Sequence, residues 1–105
     1  MRRGEIWWAE LPAPAGRRPV VLVSRDEAYA VRRLVTVVPV TTRVRSIPTE
    51  LPLGPEEGLP KPCAANADVL ATIPKAALRE RVALLSPDKQ ADLDLALRFA
   101  LGLEG

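Results

Sequence analysis

Histidine is absent from the 105 residues. That removes every mechanism that needs imidazole as general acid, general base or metal ligand near neutral pH. Ser-His and Cys-His nucleophilic catalysis go with it, and a metal site would have to be built from carboxylates alone. A single Cys excludes an intramolecular disulfide and a thiolate metal cluster. Nothing calls for an oxidising compartment or a structural zinc, and a reducing cytoplasm is the default expectation. No run approaches the roughly 20 apolar residues needed to cross a bilayer. Met1-Arg2-Arg3 could open a signal peptide, but Glu5 and Glu10 interrupt the apolar stretch behind it and Pro12 and Pro14 follow. The segment reads as a mature strand, and the expected protein is soluble with no membrane partner.

What is present is ordinary for one compact domain over residues 1–105: 48% hydrophobic and 27% charged residues. Lys and Arg number 15 against 13 Asp and Glu, and the net charge of +2 permits a nucleic-acid partner without requiring one. There is no internal repeat. The 11 Pro and 6 Gly fall at intervals, as punctuation between short elements, which points to β-rich structure.

Gly4 to Leu11 alternates Ile6 and Trp8 with Trp7, Ala9 and Leu11, the period of a strand. Pro12 to Arg17 is a loop, and Pro19 to Ser24 is a β-branched run suited to a strand covered on both faces. Arg25 to Arg33 is polar and turn-like, with room for one helical turn. Leu34 to Thr41 predicts a third strand in which Pro39, lacking an amide hydrogen, needs a bulge or an edge. Pro48 to Leu53 reads as a fourth strand, Gly54 to Lys61 as an exposed loop with Glu56 and Glu57 solvated, and Pro62 to Val69 as a fifth strand. Ile73-Pro74-Lys75 starts a helical turn, and Glu80 to Leu85 returns as the last strand. Ser86-Pro87-Asp88 combines an N-cap hydroxyl, Pro at the first helical position and an acid in the first turn, and Gly102 sits where that helix would stop. Leu93, Ala96, Leu97, Ala100 and Leu101 recur at helical spacing as the face that docks on the sheet. The fold class is mainly β with a C-terminal helix: a small curled sheet closed at its end.

Asp88 and Asp92 lie one helical turn apart, but on the polar side, where solvation explains them better than a metal. Asp26-Glu27 reads the same way, and Cys63 reads as a small buried hydrophobe. Three places can carry chemistry. In Gly16-Arg17-Arg18-Pro19 two guanidinium groups meet the start of a buried strand; taken alone, solvated arginine explains them. In Pro39-Val40-Thr41-Thr42-Arg43 hydroxyls and a cation end an apolar strand, which strand-end capping explains equally well. In Asn66-Ala67-Asp68 the acid alternates with Asn on one side of a strand, and a structural hydrogen bond to loop amides is the plain account of Asp68.

Together these segments resemble the MazF/PemK (Kid) family of toxin endoribonucleases. The resemblance runs through Arg3-Gly4-Glu5-Ile6-Trp7, Arg18-Pro19-Val20-Val21-Leu22-Val23-Ser24, Val38-Pro39-Val40-Thr41-Thr42, and Asn66-Ala67-Asp68 with Thr72-Ile73 behind it. It implies an SH3-like small barrel, a homodimer, and sequence-specific cutting of single-stranded RNA without metal or other cofactor. The ribose 2′-hydroxyl attacks its own phosphodiester, leaving a 2′,3′-cyclic phosphate and a 5′-hydroxyl. It also implies a cognate MazE-like antitoxin whose acidic, largely disordered tail folds over the RNA groove.

By the same resemblance Arg18 and Thr41 carry the reaction, Arg18 as a planar fork on the phosphate and Thr41 as a hydroxyl donor. Asp68 is the candidate to accept the 2′-hydroxyl proton. Trp8, Arg17, Thr42 and Asn66 are expected to bind substrate, Trp8 by stacking on a base. Asn66 and Ala71 stand where Kid-like relatives carry Arg, and the loop from Pro12 to Arg17 is shorter than theirs and lacks their His. Two other classes stay open: a non-enzymatic gyrase inhibitor like CcdB, whose terminal Trp-Gly-Ile is replaced here by Leu103-Glu104-Gly105, and a catalytically silent RNA-binding barrel.

Overall fold

The computed structural model describes residues 1–103; Glu104 and Gly105, on which the comparison with the CcdB terminus falls, lie outside the described residues. Seven strands and two helices follow in the order β1 (Glu5–Glu10), β2 (Arg17–Leu22), α1 (Ala28–Val31), β3 (Leu34–Thr41), β4 (Glu50–Leu53), β5 (Cys63–Asn66), β6 (Ala71–Pro74), β7 (Leu78–Leu84) and α2 (Pro87–Leu101). Single 3₁₀ turns occupy Pro55–Glu57, Ala67–Val69 and Lys75–Ala77.

All strand pairs are antiparallel, in the order β4-β5-β3-β2-β1-β7 with β6 also on β3. β3 therefore changes partner along one edge: Leu34 to Val37 pair with β6, and Val40 and Thr41 pair with β5. Pro39 falls between these two ladders, so its missing amide hydrogen breaks no rung on that edge, as a proline inside a strand requires. The sheet curls at this point, and β5 is turned to the side of the barrel where β3 ends.

Alternation along the strands sends side chains into two cores. Ile6, Val21, Val38, Val40, Leu51, Leu53, Leu85 and Leu93 form one, while Ala9, Val20, Leu22, Tyr29, Val35, Val37 and Ile73 form the other. Ile6 and Ala9 thus part company as the period of two demands, and Val20, Val21 and Leu22 are wholly buried, as expected of a strand covered on both faces. Helix α2 begins where its caps predict: Ser86 Oγ accepts from the Lys89 amide, Pro87 opens the helix, and Gly102 ends it at φ +67°. Leu93 and Ala96 are buried and Leu97 packs on the core.

Several expectations need correction. The fifth strand stops at Asn66, and Asp68 lies on the 3₁₀ turn Ala67–Val69 rather than on a strand. Strand β6 precedes the helical turn at Lys75, where only the turn was expected. Arg17, expected to end the loop, instead opens β2, which starts two residues before the expected Pro19 and includes Arg18. Glu57 is not simply solvated, since its Oε1 accepts from the Gly54 amide at 2.7 Å. Leu101 is exposed, so the docked face of α2 ends a turn earlier than its spacing suggests.

Candidate functional site

At the end of the sheet where β2 starts and β3 finishes, a cleft of about 250 Å³ is lined by Trp8, Arg17, Arg18, Pro19, Val40, Thr41, Thr42, Leu59, Pro60, Lys61 and Cys63. Three cations face it and no carboxylate does. Five of the seven residues singled out from the sequence meet here: Trp8, Arg17, Arg18, Thr41 and Thr42.

The strand ladders explain the meeting. β2 pairs with β3 in the register Leu22–Val37, Val21–Val38 and Val20–Pro39. The ladder ends at Val20–Pro39, and Arg18 and Thr41 each lie two residues beyond that rung, on strands that hold both in the wall of the cleft. On its other edge β2 pairs with β1, which sets Trp8 against Pro19 and Glu10 against Arg17.

The two arginines differ in what they already hold. Arg17 is tethered on the outside by Glu80 at 3.5 Å and Glu10 at 3.8 Å, and its guanidinium lies 5.0 Å from the centroid of the Trp8 ring, a cation–π distance. Arg18 makes no ion pair among the described residues, and its Nε is buried without a hydrogen-bond partner. A buried donor left unpaired costs about 1–3 kcal/mol, and more when charged. Thr41 Oγ1 accepts from the Arg43 amide at 3.1 Å, which fixes the oxygen and leaves the hydroxyl hydrogen free to donate. Thr42 follows at the rim, exposed. The loop beyond it is held by Glu50, whose Oε1 accepts from the amides of Arg45 and Ser46, both at 2.9 Å.

Asp68 and Asn66 do not line this cleft. Asn66 is buried in the body of the protein and its Oδ1 accepts from the Asp68 amide at 2.9 Å, capping the 3₁₀ turn. Asp68 is exposed on that turn and its Oδ2 accepts from the Thr49 hydroxyl at 2.7 Å. Lys61, which sequence reasoning left in an exposed loop, does line it, as does Cys63, buried as expected, whose thiol is pushed up in pKa by burial, with the Glu57 carboxylate adding to the effect. That thiol stays protonated and serves as cleft wall. Among the described residues no three His, Cys, Asp or Glu side chains gather as a metal would need.

Comparison with known proteins extends across nearly the whole chain. Residues 2–101 match the family described as PemK-like, MazF-like toxin of type II toxin-antitoxin system. The chain is 37% identical over 100 residues to a probable endoribonuclease MazF5 of Mycobacterium tuberculosis, covering 94% of this chain and 91% of that protein. Its fold superposes on the Mycobacterium tuberculosis toxin MazF-mt6 with a TM-score of 0.89 at 31% identity, covering 96% of this chain and 99% of the other. A mycobacterial endoribonuclease solved in complex with its cognate antitoxin gives a TM-score of 0.88 at 30% identity, covering 100% and 98%. The family's sequence pattern and its curled sheet with a closing helix are therefore shared from end to end, and the chain belongs to the PemK-like, MazF-like toxins of type II toxin–antitoxin systems.

Proposed function

We propose that this chain is a single-domain endoribonuclease toxin that cuts single-stranded RNA at a short sequence and is held in check by a cognate MazE-like antitoxin. The observation that carries the reading is an Arg18 guanidinium with no ion pair among the described residues and a free Thr41 hydroxyl hydrogen, both in a cleft that is lined by cations and no acid. When a ribose 2′-hydroxyl attacks its own phosphodiester, charge grows on the phosphate oxygens. Preset donors aimed at that charge lower the barrier, each worth about 100-fold to 1000-fold in rate. Arg18 supplies a fork that cannot lose its proton near neutral pH, and so acts as a charge stabiliser rather than as the acid. Thr41 supplies a second donor from the opposite strand. Trp8, Arg17 and Thr42 hold the flanking nucleotides. No step requires a metal or another cofactor.

Proton removal from the 2′-hydroxyl needs an acceptor within hydrogen-bond reach. Asp68 lies outside the cleft of its own chain, so its role depends on a homodimer that presents it to RNA running out of the neighbouring cleft, with Asn66 fixing the turn that carries it. No helix is long and apolar enough to cross a membrane among the described residues, and the proposed compartment is the cytoplasm, where RNA is the available target.

Incubating the purified protein with a long RNA in EDTA and mapping the ends tests this reading. Fragments with a 2′,3′-cyclic phosphate and a 5′-hydroxyl support it. Intact RNA that is nonetheless bound favours the silent barrel, and gyrase inhibition without cleavage favours the CcdB-like class.

A further inference from the structure

Besides the reacting pair, the cleft holds one cation with nothing to neutralise it. Lys61 lines the same wall as Thr41 and Cys63, is exposed, and makes no hydrogen bond or ion pair among the described residues. Its backbone, by contrast, is strongly constrained. Pro60 and Pro62 flank it, each with φ locked by its ring. Leu59 and Cys63, 3% and 6% exposed, plant the two ends of this tripeptide in the core. The preceding turn is closed by the Gly54 amide on Glu57 Oε1, and by the Gly58 and Leu59 amides on the Pro55 and Gly54 carbonyls. Gly58 sits at φ +87°, where an added Cβ would lie 3.3 Å from Val82.

This geometry is a mobile charge on a stiff base. A lysine in a loose surface loop spends entropy on each contact; here only the side chain is left to order, and the cleft it lines has no carboxylate in its wall. Arg18 lines the cleft with Thr41 and is committed to the reacting phosphate, and Arg17 is held by Glu10, Glu80 and Trp8. Lys61 is thus the cation of this cleft left uncommitted for a second phosphate of the same strand. We propose that Lys61 forms a second phosphate subsite, which binds the phosphodiester adjacent to the scissile one and registers the strand across Arg18 and Thr41. The proposal rests on the reading of the cleft as an RNA site.

The experiment follows binding of a fluorescent 2′-O-methyl RNA decamer, which cannot be cut because the attacking hydroxyl is blocked, by anisotropy across a salt series. In Lys61→Ala the plot of log affinity against log salt is expected to flatten by about 0.7, the loss of one single-strand phosphate contact. Affinity near 0.1 M salt falls about threefold to tenfold, with the slope and affinity recovered in Lys61→Arg. On cleavable RNA the same variant raises KM by a like factor while kcat changes less than about twofold, as expected for an interaction shared by ground and transition states. An unchanged slope in Lys61→Ala, or an equal loss in Arg32→Ala, whose cation lies outside the cleft, would overturn the subsite. Failure of the underlying reading shows separately, as wild-type protein that leaves RNA intact.

Discussion

Arg18 and Thr41 line one cleft from neighbouring antiparallel strands, each two residues past Val20 and Pro39, the last paired rung of β2 and β3. Both residues lie within strands, so the donors that line the cleft come from a rigid sheet. Arg18→Ala should lower kcat by about 100-fold to 1000-fold, with Thr41→Val in the same range. Thr41→Ser, which keeps the hydroxyl, should retain most activity. Arg18→Lys should rescue poorly, since a point charge does not replace a planar fork. Single-turnover cleavage rates check these values. Melting temperatures should hold, because Arg18→Ala removes a buried donor that has no partner to lose.

Trp8 presents one ring face to Arg17 and lies in the cleft wall. Stacking a base on an aromatic ring is worth roughly 1–3 kcal/mol, so Trp8→Ala should weaken binding of a non-cleavable RNA about tenfold or more, and Trp8→Phe should restore most of it. An alanine variant that binds as the wild type does would leave Trp8 as packing for Arg17 alone.

Glu5 is the buried acid that ties the first strand to the last. Burial pushes its carboxyl up in pKa, but hydrogen bonds from Arg81, the Trp7 indole and the Arg2 amide outweigh that and leave it below 4.5. A folded-state value below the unfolded one means that the unfolded chain binds the proton more readily, so this contribution is complete above about pH 5 and lost as pH falls through the folded value. Glu5→Gln should cost about 1–3 kcal/mol of unfolding free energy at pH 7. The gap between variant and wild type should narrow as pH falls through the folded value, read by urea denaturation at each pH.

Much of the fold and part of the site are legible in the chain because local and global signals coincide there. β3 shows as Leu34 to Thr41 because its apolar run is flanked by polar residues, and α2 shows because Ser86, Pro87 and Gly102 mark both ends. The four residues of β6 end on Pro74 and owe their pairing to Val35 and Val37 across the sheet, which no local pattern announces. Asp68 misleads for a related reason: Asn66 and Asp68 alternate as they would in a strand, yet the Asn side chain captures the Asp68 amide and turns the chain. Lys61 hides in a stretch of Pro and Gly that resembles any solvated loop, and only the burial of Leu59 and Cys63 shows that it is held against the cleft.

Because Asp68 sits outside the cleft that holds Arg18 of the same chain, its proposed role makes a prediction about mixed dimers. Arg18→Ala and Asp68→Ala proteins should each be nearly inactive as homodimers. Mixing them by unfolding and refolding gives half mixed dimers, and in each of these one cleft has its own Arg18 and the other chain's Asp68. If the acid acts across the two-fold axis, activity should return to about a quarter of the wild-type level, since one cleft in two is intact in one dimer in two. If Asp68 serves its own chain, every cleft lacks one group and nothing returns. If Asp68→Ala alone keeps full activity, the proton goes to another acceptor, and the charge-stabilising pair of Arg18 and Thr41 stands without it.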